Sequence, residues 1–375
     1  MTIISAYDAI SLTQALKSAQ GGDTILLQPG VYSSIYLSKY NFQGGVTITS
    51  ADQNNLALFT GLKVIESQGL TFSNLEFTTA FSQSDNPFQV SGSRDIHFDM
   101  LNVHGSLDGN PQNDVAAFLV RNSSDVSMTN SNFHELLFGF GMLDNERVTV
   151  SGNTFSEIRS DGVRGGGNSF VEITNNTFTN FRPGKGDHPD AIQFWTANTK
   201  MAAHDYLISG NVITRGDGAQ VQGIFLGDES GGQLQYYNVT ITDNLLVGTS
   251  WNGIALAGRQ SSVTDNVLVA YSDEATAIRL QNADGILLSD NSAARYVYIN
   301  ATNVMQFNNL TQAAPTDLGL AAMAQWNAER GGLGLSQQPQ VAYPQVPEAT
   351  LLDLDIQSLS HFNLSGFSLE GFNWF

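Results

Sequence analysis

A short apolar run that opens on asparagine keeps returning along this chain, as SNLEF, LNVHG, SNFHE, GNTFS, NNTFT, GNVIT, DNLLV, DNVLV and DNSAA. The markers are Asn74, Asn102, Asn132, Asn153, Asn176, Asn211, Asn244, Asn266 and Asn291, spaced by 28, 30, 21, 23, 35, 33, 22 and 25 residues. Between them a second segment recurs as DGVRGGG, DAIQFWT, QGIFLGD, NGIALAG and TAIRLQN, in which Ile or Val alternates with other residue types. An alternation of period two is that of a strand. One strand-turn-strand unit cannot bury its apolar side alone, but stacking each unit on the last creates a continuous interior, which is a solenoid. Asparagine suits the turns because its amide bonds neighbouring backbone or its equivalents in the coils above and below.

The two ends of the repeat differ from its middle. Near the start, SLTQALKSAQGG reads as a short amphipathic helix with a glycine stop, placed to cap the first open coil edge. A strand follows it and ends at Pro29-Gly30. This segment, ALKSAQGGDTILLQPGVY, resembles the opening of right-handed parallel β-helix proteins of the pectate-lyase-like superfamily, and the likeness in style extends to about residue 305. It implies an all-β chain, a right-handed single-stranded parallel β-helix with an N-terminal capping helix. Residues 1–310 form the expected β-helix and residues 311–335 a helical segment, with the helix itself from about Thr316 to Arg330. Residues 336–350 read as a linker, and 351–375 as an aromatic tail, FNLSGFSLEGFNWF at its end, expected to meet another subunit or partner.

Composition narrows the partners. With 35 acidic against 16 basic residues the net charge is -19, so the long-range field repels nucleic acid and anionic membranes. No apolar stretch is long enough for membrane insertion. There is no cysteine, so packing must hold the fold without disulfides. The opening residues MTIISAYDAI show no basic stretch followed by an apolar run and a small-residue cleavage site, so no conventional signal peptide is expected there.

Chemistry is expected where the repeat is interrupted. The two longest spacings, 35 and 33, each carry roughly ten extra residues, and insertions in a solenoid become loops, often on the binding face. GKGDHPD lies in the first and GDESGGQ in the second. Aligning the strands on their shared pattern puts Asp161, Asp190, Gln222, Asn252 and Thr276 in one row, and Arg164, Gln193, Phe225, Ala255 and Arg279 in another. Adjacent coils about 4.8 Å apart would hold the carboxyls of Asp161 and Asp190 at roughly the separation of a retaining glycosidase. A uronate lyase or epimerase would instead use His188 or Lys185 as base, with Arg164, Arg182 or Arg215 against the substrate carboxylate. The candidate catalytic set is therefore Asp161, Arg164, Lys185, His188 and Asp190. The candidate substrate-binding set is Gln193, Trp195, Arg215, Gln222, Phe225 and Arg259.

Other readings stand beside these. Asp187 and Asp190 around Pro189 are also good turn formers, as is Asp217, and Trp195 and Phe225 serve equally as sugar platforms or as packing under loops. His97, His104, His134 and His204 are expected to be structural. Calcium is the one cofactor these acids would suit, through Asp187, Asp190, Asp217, Asp228 and Glu229, although neither an EF-hand loop nor tandem glycine-rich nonapeptides occur.

The superfamily that the chain resembles includes polysaccharide lyases, glycoside hydrolases, uronate epimerases and phage tailspikes. The resemblance implies a polysaccharide partner and an extracellular or virion-surface location, with recognition of a bacterial surface polysaccharide, with or without cleavage, by a spike, usually trimeric, as the first reading. A free secreted lyase, hydrolase or epimerase is the second, and an adhesive or structural solenoid the third. Epimerases of this architecture carry a local Asp-Pro-His order, whereas here the order is Asp187-His188-Pro189-Asp190.

Overall fold

A computed structural model describes residues 1–82 and 85–329. Gln83, Ser84 and residues 330–375 fall outside the described residues, and with them the expected linker and aromatic tail. The described residues form three long sheets of 13, 11 and 12 strands, in which each strand pairs with the equivalent strand of the next coil. All these pairings are parallel; in the coil carrying Asp161, for example, Thr154–Ser156 lies in the 12-stranded sheet, Val163–Gly166 in the 11-stranded and Ser169–Thr174 in the 13-stranded. This is a parallel β-helix.

Period-two alternation supplies the interior. Ser169–Thr174 buries Val171 and Ile173 while Phe170 and Glu172 face out. In the 12-stranded sheet the phenylalanines of successive coils stack inside, with ring centroids 4.8 Å apart for Phe133 and Phe155 and 4.9 Å for Phe155 and Phe178. The same stacking joins Phe59 to Phe77 and Phe72 to Phe98. Each fully buried ring contributes roughly 1.5–3 kcal/mol from transfer out of water.

The asparagine repeat is a hydrogen-bonded ladder, but not with all the expected members. Asn153, Asn176, Asn211, Asn244, Asn266, Asn291 and Asn309 point inward; the Oδ1 of Asn153 accepts from the backbone N–H of Ser131, and that of each later member accepts from the backbone N–H and the side-chain amide of the asparagine one coil before it, as Asn176 does from Asn153 at 2.9 and 3.0 Å. The residue before each is left-handed, with φ of 70° at Gly152, 56° at Asn175 and 57° at Asp243. Glycine, asparagine and aspartate tolerate this conformation best, which explains the recurring GN, NN and DN pairs. Asn74, Asn102 and Asn132 are not in the ladder. Asn74 occupies the left-handed position, and Asn102 and Asn132 sit one residue late, on the outer side of the first strand position. Leu75, Leu101 and Ser131 stand inward in those coils. A second ladder at the junction of the 11- and 13-stranded sheets links Ser67, Ser93, Ser123, Asn145 and Asn168.

Helix α1, Ala9–Ser18, caps the first coil with Leu12, Ala15 and Leu16 buried, and begins at a capping box between Asp8 and Ser11. Helix α2, Leu320–Glu329, lies outside the 12-stranded sheet and buries Trp326 against Val212, Leu245, Val247, Val269 and Tyr271. That contact accounts for fully buried strands such as Val212–Thr214, which have apolar side chains on both faces.

Candidate active site

The extra residues of the two long coils are divided between both ends of their strands in the 11-stranded sheet. Residues 180–189 and 215–221 precede Asp190–Trp195 and Gln222–Leu226, whereas 196–203 and 227–235 follow them. GKGDHPD and GDESGGQ therefore sit at opposite edges of the sheet, not on one binding face.

Arginine–aspartate pairs from coil to coil staple the loops that precede this sheet. Arg159 donates to both carboxylate oxygens of Asp187, at 2.5 and 3.2 Å, and to the carbonyl of Gln112. Arg182 donates to the carboxylate and carbonyl of Asp217, and Arg215 to Asp273 while its guanidinium lies over Tyr271. Arg182 and Arg215, candidates for neutralising a substrate carboxylate, are thus committed to holding loops. Asp187 serves the same purpose. Lys185 is exposed at the tip of its loop, and Arg259 lies on the 13-stranded sheet over the ring of Tyr237.

The polar row forms at the starts of the strands. Asp190 opposes Gln222 in register, and the backbone N–H of Asp190 donates to Oδ1 of Asp161 at 3.3 Å. Asn252 donates to Oε1 of Gln222 at 2.5 Å, Gln222 donates to Nε2 of His188 at 2.5 Å, and His188 Nδ1 lies 3.3 Å from Oδ2 of Asp190. Gln193 donates to the same oxygen at 3.3 Å. Thr276 leaves the row, because a register shift after Asn252 brings Ala277 opposite it, and Thr276 bonds Thr249 instead. The second row is continuous: Arg164, Gln193, Phe225, Ala255 and Arg279 are successive partners.

Burial sorts these groups into a floor and a surface. Asp161 and Asp190 are 2% and 0% exposed, so Asp190 is a buried strand residue and not part of a solvent-facing loop. Above them the side chain of His188 is half exposed. Arg164 pairs with Asp161 at 3.4 Å, with its guanidinium carbon 3.7 Å from the centroid of Phe138 and 4.9 Å from that of Trp195. Desolvation pushes Asp161 up to about 7 despite Arg164, and it also raises Asp190, whose Oδ1 is buried without a hydrogen-bond partner. The hydrogen bond from His188 to Asp190 raises the imidazole. Together these groups hold protons more tightly than they would in water. The arrangement presents one accessible proton-transfer group, His188, oriented from beneath by a buried carboxylate and flanked by the amides of Gln193 and Gln222.

Nothing in the residue order singles out Phe138 or Arg159. Phe138 lies in a compact coil, and the partners of Arg159 are far from it in sequence, Asp187 being 28 residues further on and Gln112 47 residues back. The five acids considered for calcium are dispersed: Asp187 is on Arg159, Asp190 on His188, Asp217 on Arg182, and Asp228 and Glu229 on Thr196. Among the described residues, no group of three or more His, Cys, Asp or Glu is placed to hold a metal ion.

A parallel coil with loops thrown out beside one sheet defines a structural class. The family model described as right handed beta helix region matches residues 40–186 and 88–303, and the chain belongs to that family. No curated protein sequence matches the chain. Among solved structures it is similar to a mannuronic acid specific polysaccharide family 6 lyase from human gut microbiota, at a TM-score of 0.53 and 12% identity over 82% of this chain and 78% of that one. It is also similar to the Dettilon tailspike protein (0.51, 11%, covering 76% and 58%) and to the surface protein and adhesin PfbA of Streptococcus pneumoniae (0.50, 14%, covering 81% and 95%). At these identities the likeness is one of fold.

Proposed function

We propose that this protein acts outside the cell on a polysaccharide laid along the 11-stranded sheet, and that His188 removes a proton from a uronate residue of that polymer. The observation that carries this reading is the half-exposed imidazole held by the buried Asp190, with the amides of Gln193 and Gln222 on the same pair. Elimination needs a base at C5; as the proton passes to that base, the C–H electron pair forms the C4–C5 double bond and the glycosidic oxygen departs from C4 with its bonding pair and takes up a proton from solvent. His188 Nε2 is the accepting atom once substrate displaces the amide of Gln222. Gln193 and Gln222 supply N–H donors to the substrate carboxylate, and Trp195 offers a ring face to a sugar.

Glycoside hydrolysis is the second reading, favoured by Asp161, a carboxyl held up to about 7 and so able to act as an acid near neutrality. Against it, both carboxyls lie beneath the surface that a sugar would touch. The virion-spike reading, with a trimer or another virion protein joined through the tail, rests on residues 351–375, outside the described residues; the mass of the full chain in solution tests it.

The chemistry is tested by incubating the protein with a panel of uronate-containing and neutral polysaccharides. The expected products are ultraviolet-absorbing unsaturated ends, lost in His188→Ala. Saturated reducing ends alone would move the reaction to the carboxylates, and retention without cleavage would leave recognition only.

A further inference from the structure

A groove of about 730 Å³ lies not at the His188 cluster but along the other edge of the 11-stranded sheet, where its coils turn into the 13-stranded sheet. We propose that this groove is a second glycan-binding site, one that takes an uncharged saccharide chain parallel to the solenoid axis.

Its shape follows from the register. Asn41, Gln68, Arg94, Ser124, Glu146, Ser169 and His204 are successive partners at the starts of the 13-stranded sheet's strands. Six strand spacings give a trough about 29 Å long. One wall is the inserted loop 196–203, which folds back over earlier coils: the backbone N–H of Lys200 donates to Asp144 at 3.0 Å, and its ammonium reaches Asn122 and Asp144. Gly167 admits this loop. It is left-handed at φ 66°, and a Cβ there would come within 2.3 Å of Asp144 Oδ1 and 3.0 Å of Thr199.

The lining chemistry identifies the ligand class. Its charges balance, Lys39, Arg94 and Lys200 against Glu66, Asp144 and Glu146, with Lys39 paired to Glu66 at 3.7 Å, Lys200 to Asp144 at 3.7 Å and Arg94 hydrogen-bonded to the amide of Gln68 at 2.7 Å. Hydroxyls and amides then remain to face a ligand. Rings close both ends: Tyr40 is stacked on Phe42, and His204 on Tyr237 with centroids 4.7 Å apart. An extended peptide fits less well, since every strand beside the groove except Ile35–Ser38, the end strand of the 11-stranded sheet, is already paired on both sides, which leaves no edge for strand addition along the trough. Sugar hydroxyls match the hydroxyls and amides, and pyranose faces match the terminal rings.

The test is calorimetric titration of the intact chain with neutral hexasaccharides of glucose, xylose and mannose, with a galacturonate hexamer and an unstructured peptide as contrasts. At least one neutral hexasaccharide is expected to bind. Ser124→Trp, which fills the trough without removing a core contact, and His204→Ala, which removes a terminal ring, should each weaken it about tenfold or more, while His188→Ala stays within about twofold. The proposal is overturned if no neutral saccharide binds, if only the anionic or peptide probe does, if a correctly melting Ser124→Trp binds like wild type, or if His188→Ala abolishes binding. The titration requires no catalysis, so failure of the elimination assay leaves it intact.

Discussion

The imidazole of His188 and the carboxylate of Asp190 face each other 3.3 Å apart across Pro189, one half exposed and the other fully buried. The buried partner orients the exposed one and holds its proton more tightly than water would. If His188 is the base, the acid limb of the rate profile reports its deprotonation and lies above the ordinary imidazole range. Asp190→Asn keeps the shape but removes the charge, so that limb should move to lower pH and turnover should fall by about a hundredfold or more. An unchanged pH profile in this variant would remove Asp190 from the mechanism. His188→Ala should abolish turnover with little change in melting temperature, because its side chain is half exposed.

Buried titratable groups of this cluster, and Asp114 beside Ser106, set a pH dependence of stability. Asp161 is raised from 3.8 to about 7 and Asp114 from 3.8 to about 6, chiefly by desolvation, and Asp190 and His188 are also raised. In each case the folded state binds the proton more tightly than the unfolded state. Their contribution is therefore complete below about pH 4 and is lost as pH rises through the folded values. Carboxylates held below their ordinary value, such as Asp8 and Asp23, titrate under that window, and His134, lowered by burial, has the opposite sign and offsets part of the fall toward its upper end. Melting temperature should thus fall between about pH 4 and pH 7, and Asp161→Asn should flatten the slope. A wild-type melting temperature rising across this interval would contradict the burial of the pair.

Arg159 ties residues 182–189 to the loop containing Gln112 through Asp187. Arg159→Ala removes a partly buried bidentate pair and should cost about 2 kcal/mol. It should also speed proteolytic cutting near Lys185 and lower kcat/KM, since His188 follows Asp187 directly. Equal cutting rates for variant and wild type would show that the loop is held by other contacts.

The ladder permits a matched comparison. Asn211→Ala strips acceptors from the backbone and amide N–H groups of Asn176 and a donor from the carbonyl of Ile173, and should cost about 3 kcal/mol in denaturant unfolding. Asn132→Ala, on the outside, should stay within about 0.5 kcal/mol. Similar losses in both would place Asn132 inside after all.

Much of the coil geometry is legible in the residue order. Alternation with β-branched anchors aligned Arg164, Gln193, Phe225, Ala255 and Arg279, the pairing seen in the sheet. Asp161 and Asp190 likewise fall on adjacent coils. The alignment failed where a single-residue offset reverses the side of the chain, as at Asn102 and Asn132, and where a register shift displaced Thr276. A pattern of recurring letters does not distinguish the left-handed residue from the inward one beside it.

Periodicity thus dictated that this chain would coil, because each repeat's apolar face needs the next repeat to leave water. Local order could not say that Asp190 would be buried under His188, that Arg182 and Arg215 would be consumed in holding loops, or that the inserted residues would divide between two edges. Those outcomes depend on partners tens of residues away, and burial and charge pairing exist only once the coils have stacked.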